Sequence, residues 1–184
     1  MAGVEVSHSA IPGLLLIDLV VNRDRRGWFK ENYTSDALEA HGVRDFHVVQ
    51  NNVSLSTEVG VLRGIHAEPW DKYVSLASGR AFAAIVDLRE GSSAFGRVET
   101  FDLTPEKALF IPRGCGNSYQ ALERNVVYTY LVNGRWSPGT SYTSVHPYDP
   151  QLAIDWPIAR SDTVMSDKDA ALPPLAAVAP VEDG

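Results

Sequence analysis

The sequence predicts an all-β fold, one barrel-like sandwich, and three observations predict it. Short apolar runs rich in Val, Ile and aromatic residues recur at intervals of roughly 8–12 residues along most of the chain. Turn-forming stretches such as Ser78-Gly79-Arg80 and Glu90-Gly91-Ser92-Ser93 separate them. Helix signals are confined to one short stretch, Thr34 to His41. A length of 184 residues gives room for one good-sized core but hardly for two. The expectation is a single domain over 1–184, with its core over about 11–170 and a loose end over 173–184.

Ile11-Pro12-Gly13 is a turn signal, and Leu14 to Val21 has the branched apolar residues of a buried strand. Asn22 to Arg26 reads as a charged turn, and Gly27 to Tyr33 as a strand with polar faces. Thr34 or Ser35 caps the helix, Leu38 gives it an apolar contact, and Gly42 closes it. Phe46 to Leu55 is strand-like. Tyr73 to Ala77 and Ala81 to Leu88 flank the Ser78-Gly79-Arg80 turn. Val98 to Leu103, Ala108 to Ile111, Asn117 to Leu122 and Asn125 to Val132 are further short strands. The Pro-rich remainder is expected to wrap irregularly around the barrel.

The densest chemistry lies between two of these strands, in Gly60-Val61-Leu62-Arg63-Gly64-Ile65-His66-Ala67-Glu68-Pro69-Trp70-Asp71-Lys72-Tyr73. Strand alternation sets Leu62, Gly64 and His66 on one face and Val61, Arg63 and Ile65 on the other. Pro69 breaks the ladder, and Lys72 opens the next strand. A base, a guanidinium and an ammonium thus gather at one corner, as they would to handle an anion. The formal net charge of -7 argues against a general nucleic-acid or anionic-membrane surface, so such an anion site is local. No apolar run approaches the ~18 residues of a membrane span, and the N-terminus lacks the basic start and apolar core of a signal peptide. The lone Cys115 excludes an intrachain disulfide, which fits a cytoplasmic protein.

Ile111-Pro112-Arg113-Gly114 looks like the Pro-x-Gly turn of the cupin jelly rolls, and His66 with Glu68 stands where their first metal motif begins. Metal-binding cupins supply several His; here position 68 is Glu, and Asn117 holds the place of the later His. A catalytic metal wants at least three good protein ligands. No metal and no cofactor are expected.

Six motifs stand together in register. They are Val61-Leu62-Arg63-Gly64-Ile65-His66, Val86-Asp87-Leu88-Arg89-Glu90-Gly91, Ala94-Phe95-Gly96, Ile111-Pro112-Arg113-Gly114, Ile154-Asp155-Trp156-Pro157 and Ser166-Asp167-Lys168-Asp169-Ala170. In order and spacing they resemble the dTDP-4-dehydrorhamnose 3,5-epimerase family, over about Ile11 to Ala170. Asp24-Arg25-Arg26-Gly27-Trp28-Phe29-Lys30-Glu31-Asn32 is similar to that family's nucleotide-contacting segment. The resemblance implies a cupin-type jelly-roll barrel and a dTDP-linked 4-keto-6-deoxyhexose as substrate. It implies inversion at C3 and C5, both alpha to the ketone.

Each inversion needs a base on one face, stabilisation of an enolate at O4, and an acid on the other face. The resemblance gives His66 as the base, a role an imidazole fills near neutral pH, with Asp169 as its carboxylate partner. Lys72 is the O4 stabiliser, a positive charge where negative charge develops. Tyr130 is the acid, by its spacing to Ser137-Pro138; Tyr128, two residues earlier, shares its face and is the rival. Arg26, Glu31, Gln50, Asn52 and Lys168 match substrate- or nucleotide-contacting positions, and Arg63 matches a diphosphate ligand, which suits a guanidinium fork. In the family a second subunit's N-terminal strand region completes the nucleotide site, so a homodimer is implied.

Departures from the pattern concern the site. Asn117, which can donate a hydrogen bond but carries no charge, replaces a His. Ala83 replaces an acidic residue, and a family Glu has no match among Gly139, Thr140 and Ser141. These leave room for an epimerase that inverts one carbon. A ketoisomerase, a catalytically silent sugar-nucleotide-binding cupin and a metal-dependent oxygenase are the remaining rivals. His8, His41, His47 and His146 have no such company and read as surface or packing residues, as do Trp28, Trp70 and Trp156. Trp136 is also a packing residue or a contact for the nucleotide base. Glu68 and Asp71 read as turn charges, and Cys115 as a small buried hydrophobe.

Overall fold

The structure is a computed structural model that describes residues 4–138, 140 and 142–181. Its strands are β1 (Glu5–His8), β2 (Leu15–Asp18), β3 (Val21–Asp24), β4 (Gly27–Lys30), β5 (Gln50–Ser56), β6 (Leu62–Ala67), β7 (Lys72–Ser78), β8 (Ala81–Asp87), β9 (Val98–Leu103), β10 (Lys107–Ile111), β11 (Cys115–Ala121), β12 (Val126–Val132) and β13 (Thr143–Ser144). The helices are short, α1 (Ser35–Glu39) and α2 (Asp167–Ala170), with two 3₁₀ turns. One sheet runs β1-β2-β10-β7-β12-β5 and the other β13-β6-β11-β8-β9, while β3 and β4 form a separate hairpin. All pairings between these strands are antiparallel.

Apolar patterning accounts for the layers. Leu76, Val74, Leu109 and Val126 from the first sheet meet Ala83, Ile85 and Ala121 from the second in one core. The six-stranded sheet is also apolar on its outer side, where Ile17, Phe110 and Tyr73 pack under Leu38 of α1 and Phe46. The outer side of the other sheet presents Ile65, Val86 and Leu88 to Val145, Leu152 and the C-terminal Leu175, Val178 and Val181. Burial on both faces explains why Ala81 to Leu88 is nearly continuously apolar instead of alternating.

The structure bears out the mostly-β architecture with short helices and an irregular C-terminal wrap, without showing a closed barrel. Among the described residues β1 and β5 end one sheet and β13 and β9 the other, so neither closes on itself. The expected strand Leu14 to Val21 is split: β2 stops at Asp18, Leu19 N donates to Glu106 O, and β3 leaves to pair with β4. Part of the expected turn Asn22 to Arg26 is consequently strand. Of Phe46 to Leu55 only Gln50 onward pairs, because β12 reaches no further than Val132 opposite Gln50. In the expected loose end, Val181 N–H donates to Leu88 O at 2.7 Å while its carbonyl accepts from Glu90 N; residues 182–184 lie outside the described residues. No helix among the described residues is long and apolar enough to cross a membrane.

Candidate active site

The corner after β6 carries the chain from one sheet to the other, which is why residues six apart can face each other across a cavity. Asp71 pins it. Its carboxylate accepts from Arg113 N (2.8 Å), Arg113 Nη2 (3.1 Å) and Asn133 Nδ2 (2.8 Å), and its own N–H donates to Asn133 Oδ1 at 2.8 Å. Burial raises the Asp71 carboxyl, but the bonds from Arg113 and Asn133 outweigh it and hold the group below the usual range.

Alternation alone puts Arg63 and His66 on opposite faces, and the structure corrects this. His66 lies across from Asn117 and Arg63 across from Tyr119, three steps on β6 against two on β11. That extra residue is a bulge and reverses the alternation, so both side chains line one cavity of about 210 Å³. Gly64 makes the bulge possible. Its φ is +108°, and a Cβ there would come within 2.5 Å of Asn117 O.

His66 is held at both ring nitrogens. Nε2 lies 3.0 Å from Asp169 Oδ1, and Nδ1 lies 2.9 Å from Ser144 Oγ. Asp169 arrives from far along the chain because Val164 bridges β6, with Leu62 N donating to Val164 O at 2.9 Å. Ser166 then caps α2 by accepting from Asp169 N at 3.1 Å. Burial raises the Asp169 carboxyl, but the His66 ring, the Gly64 N–H and the Lys168 charge together hold it below its ordinary value.

Lys72, at the start of β7, is 2% exposed and ion-pairs with Glu68. Burial pulls its ammonium down to about 7, and the neighbouring Cys115 works the other way. Tyr128 and Tyr130 both line the cavity from β12 but differ in their bonding. Tyr128 is fully buried, stacked 4.2 Å from Tyr119, and donates to Asn117 Oδ1 at 3.1 Å. Tyr130 is partly exposed, and among the described residues its hydroxyl has no hydrogen-bond partner. Burial and Tyr119 raise its hydroxyl, and Arg63 lowers it, with a net upward shift.

His66, Asp169, Lys72, Tyr130, Arg63 and Asn117 are thus brought together. Gln50 and Asn52 lie in an adjoining cleft of about 230 Å³, which shares Glu68 and Tyr130 with the first and includes Trp136. Lys168 turns to a third cleft, where its ammonium donates to Tyr142 Oη at 3.0 Å. Arg26 and Glu31 are not brought in. Arg26 sits on the exposed β3–β4 hairpin in an ion pair with Asp24, and Glu31 follows it, also exposed. Sequence reasoning missed Ser54, Glu68, Tyr119 and Ser144 as site residues. Ser54 and Tyr119 share strand faces with Asn52 and Asn117, a signal that alternation carried; β13 has only two residues and gave none. Gly139 and Ser141, two of the three positions where the family Glu has no match, lie outside the described residues. Among the described residues no group of three His, Cys, Asp or Glu side chains is placed to hold a metal ion.

The chain is similar to proteins of one known family. The model of the family described as dTDP-4-dehydrorhamnose 3,5-epimerase matches residues 8–177. The chain is 44% identical over 170 residues to the RmlC homolog of Streptococcus pyogenes serotype M6, covering 88% of this chain and 85% of that protein. It is 36% identical over 155 residues to the dTDP-4-dehydrorhamnose 3-epimerase of Streptomyces niveus, covering 81% of this chain and 74% of that one. The structure of RmlC from Streptococcus suis in complex with dTDP-D-xylose superposes with a TM-score of 0.91 at 39% identity, over 98% of this chain and 95% of that one. With a family model spanning most of its length and relatives well above the threshold of chance, the chain belongs to the dTDP-4-dehydrorhamnose 3,5-epimerase family, sugar-nucleotide epimerases of the cupin fold, and is an enzyme of that family.

Proposed function

We propose that this enzyme inverts both C3 and C5 of dTDP-4-dehydro-6-deoxy-D-glucose, giving dTDP-4-dehydro-L-rhamnose. The observation that carries the reading is that His66 with Asp169, Lys72 and Tyr130 line one cavity, base and acid coming from facing sheets. Both hydrogens are alpha to the ketone. His66 takes the proton, Asp169 supports the imidazolium, Lys72 faces the enolate oxygen, and Tyr130 returns a proton from the opposite side. Tyr130 suits the acid better than Tyr128, because among the described residues its hydroxyl has no hydrogen-bond partner while that of Tyr128 is committed to Asn117. The diphosphate and base then extend past Arg63 into the cleft of Gln50, Asn52 and Trp136. The exposed hairpin with Arg26 and the nearby Glu31 supports a homodimer in which it reaches a partner's site; Phe29 there is 65% exposed. A single cysteine, Cys115, admits no intrachain disulfide, which suits the reducing cytoplasm as the place of action.

Incubation with the substrate in deuterated water, with a 4-reductase trapping product, tests this. Deuterium at C3 and C5 with L-rhamnose configuration is expected. A second reading, inversion at a single carbon, has support of its own in the 36% identity to a 3-epimerase and the loss of a charge at Asn117; label at one carbon would establish it. Binding with no label at all would sink both.

A further inference from the structure

Asn117 lies directly across from His66 in the pairing of β11 with β6, and its side chain lines the same cavity. What it offers a ligand there depends on which end of the amide points inward: the NH2 donates, the carbonyl oxygen accepts. The two ends are nearly equal in size, so their hydrogen bonds choose between them. Tyr128 makes that choice. It comes from β12 in the facing sheet, is buried, and has one hydrogen-bond partner among the described residues, Asn117 Oδ1 at 3.1 Å. A buried phenol needs an acceptor for its proton. Burial also pushes the Tyr128 hydroxyl upward, so it keeps that proton and donates at any working pH. Were the amide turned over, the phenol oxygen could accept from the NH2, but its own proton would be buried without an acceptor.

Building on the sugar-nucleotide site proposed above, we infer that Tyr128 is a positioning residue: its hydroxyl holds Asn117 Oδ1 and so turns the Asn117 NH2 toward an oxygen of the substrate beside the base. Nδ2 is available for this. Among the described residues it has no hydrogen-bond partner, yet it is not one of the buried polar atoms left without one, so it is open to the cavity that Asn117 lines. The phenol is itself held in place. Its ring stacks on Tyr119 with centroids 4.2 Å apart and planes within 5°. The Tyr119 hydroxyl in turn is bonded to Ser54 Oγ at 3.1 Å and Ser56 Oγ at 3.0 Å, both on β5. One chain of fixed contacts thus runs from β5 through Tyr119 and Tyr128 to Asn117, and ends in a donor that carries no charge. Arg63 and Lys72 bring cations to the cavity, whereas Asn117 brings a neutral donor with a set direction, which suits a hydroxyl or carbonyl oxygen of the sugar.

A double-mutant cycle on kcat/KM with dTDP-4-dehydro-6-deoxy-D-glucose tests whether Tyr128 acts through Asn117. Asn117→Ala removes the donor, and Tyr128→Phe keeps the ring and its stacking while releasing the amide. Each is expected to lower kcat/KM about five-fold, the worth of one neutral hydrogen bond. The two losses should not multiply. Once Asn117 is gone, removing the Tyr128 hydroxyl should change kcat/KM by less than about two-fold. A double variant slower by about twenty-five-fold, the product of two independent losses, overturns the inference, because the hydroxyl would then act on the substrate or the fold by itself. A Tyr128→Phe variant as fast as the unsubstituted enzyme overturns it too. NMR of the ligand-free enzyme gives a readout that needs no sugar. The side-chain amide nitrogen of Asn117 should move upfield in Tyr128→Phe, because its carbonyl has lost a donor. That shift stands even if the sugar reaction proves to be a different one, and an unmoved resonance overturns the inference.

Discussion

A fully buried ammonium is costly unless something holds its charge, and for Lys72 that something is Glu68. Burial pulls the Lys72 ammonium down to about 7, and the Glu68 carboxylate in the ion pair beside it favours the charged form. The proposed reaction needs His66 neutral and Lys72 charged, which gives a bell-shaped profile. Its basic limb is set by Lys72, whose ammonium burial pulls down to about 7. Removing the anion removes the opposing attraction, so Glu68→Gln is expected to move the basic limb of kcat to lower pH and leave the acid limb in place. A profile of kcat from pH 5 to 10 checks it, and a basic limb that stays put would detach Lys72 from the enolate role. Glu68 itself reads from sequence as a turn charge, because a strand–turn–strand corner gives no hint that its two ends belong to different sheets.

At the scale of elements the corner and the bulge decide what the site looks like. Asp71 reaches Arg113 of the Pro-x-Gly turn and Asn133 beyond β12, thereby tying three chain segments. Asp71→Ala leaves Asn133 and the Arg113 backbone N–H without that partner, and is expected to cost about 2–4 kcal/mol, read as a lower midpoint in urea with an unchanged slope. A loss below about 0.5 kcal/mol, the range of ordinary surface substitutions, would show the corner held by other contacts. Strand positions were legible wherever apolar runs were long, as in β7, β8 and β12. They were not legible in β1, whose Glu5–His8 is polar and pairs only because β2 offers a free edge. The direction of Arg63 was misread for a related reason: a bulge is a property of two strands at once, and Gly64 alone does not announce it. Lys72, Asn117 and Tyr130 need no such pairing information, since the family resemblance points to them by their place along the chain.

At the scale of the whole molecule, two sheets share one core while separate coverings clad their outer faces, so stability rests on links between layers as well as on burial. Several motifs of the family resemblance turn out to supply those links instead of chemistry. Asp87, with no exposure, accepts from Arg89 Nη2 and Ser92 Oγ, both at 2.7 Å, at the end of β8, next to the bridge between Arg89 and Val181. Burial raises its carboxyl, yet the bonds from Arg89 and Ser92 bring it below the ordinary value, as happens at Asp71 and Asp169. A carboxyl that is more acidic folded than unfolded stabilises the fold above the unfolded value of about 3.9, and that stabilisation is lost as pH falls through the folded value. Stability is therefore expected to fall steadily below about pH 5. Asp87→Asn cannot ionise and lacks this share at neutral pH. Its deficit against the unsubstituted enzyme should be largest at pH 7 and shrink as the pH falls toward 3, since protonation removes the same charge from both. Urea unfolding at pH 7, 5 and 3 measures the gap directly. A gap that is the same at all three would mean that Asp87 contributes by packing and neutral hydrogen bonding, not by its charge.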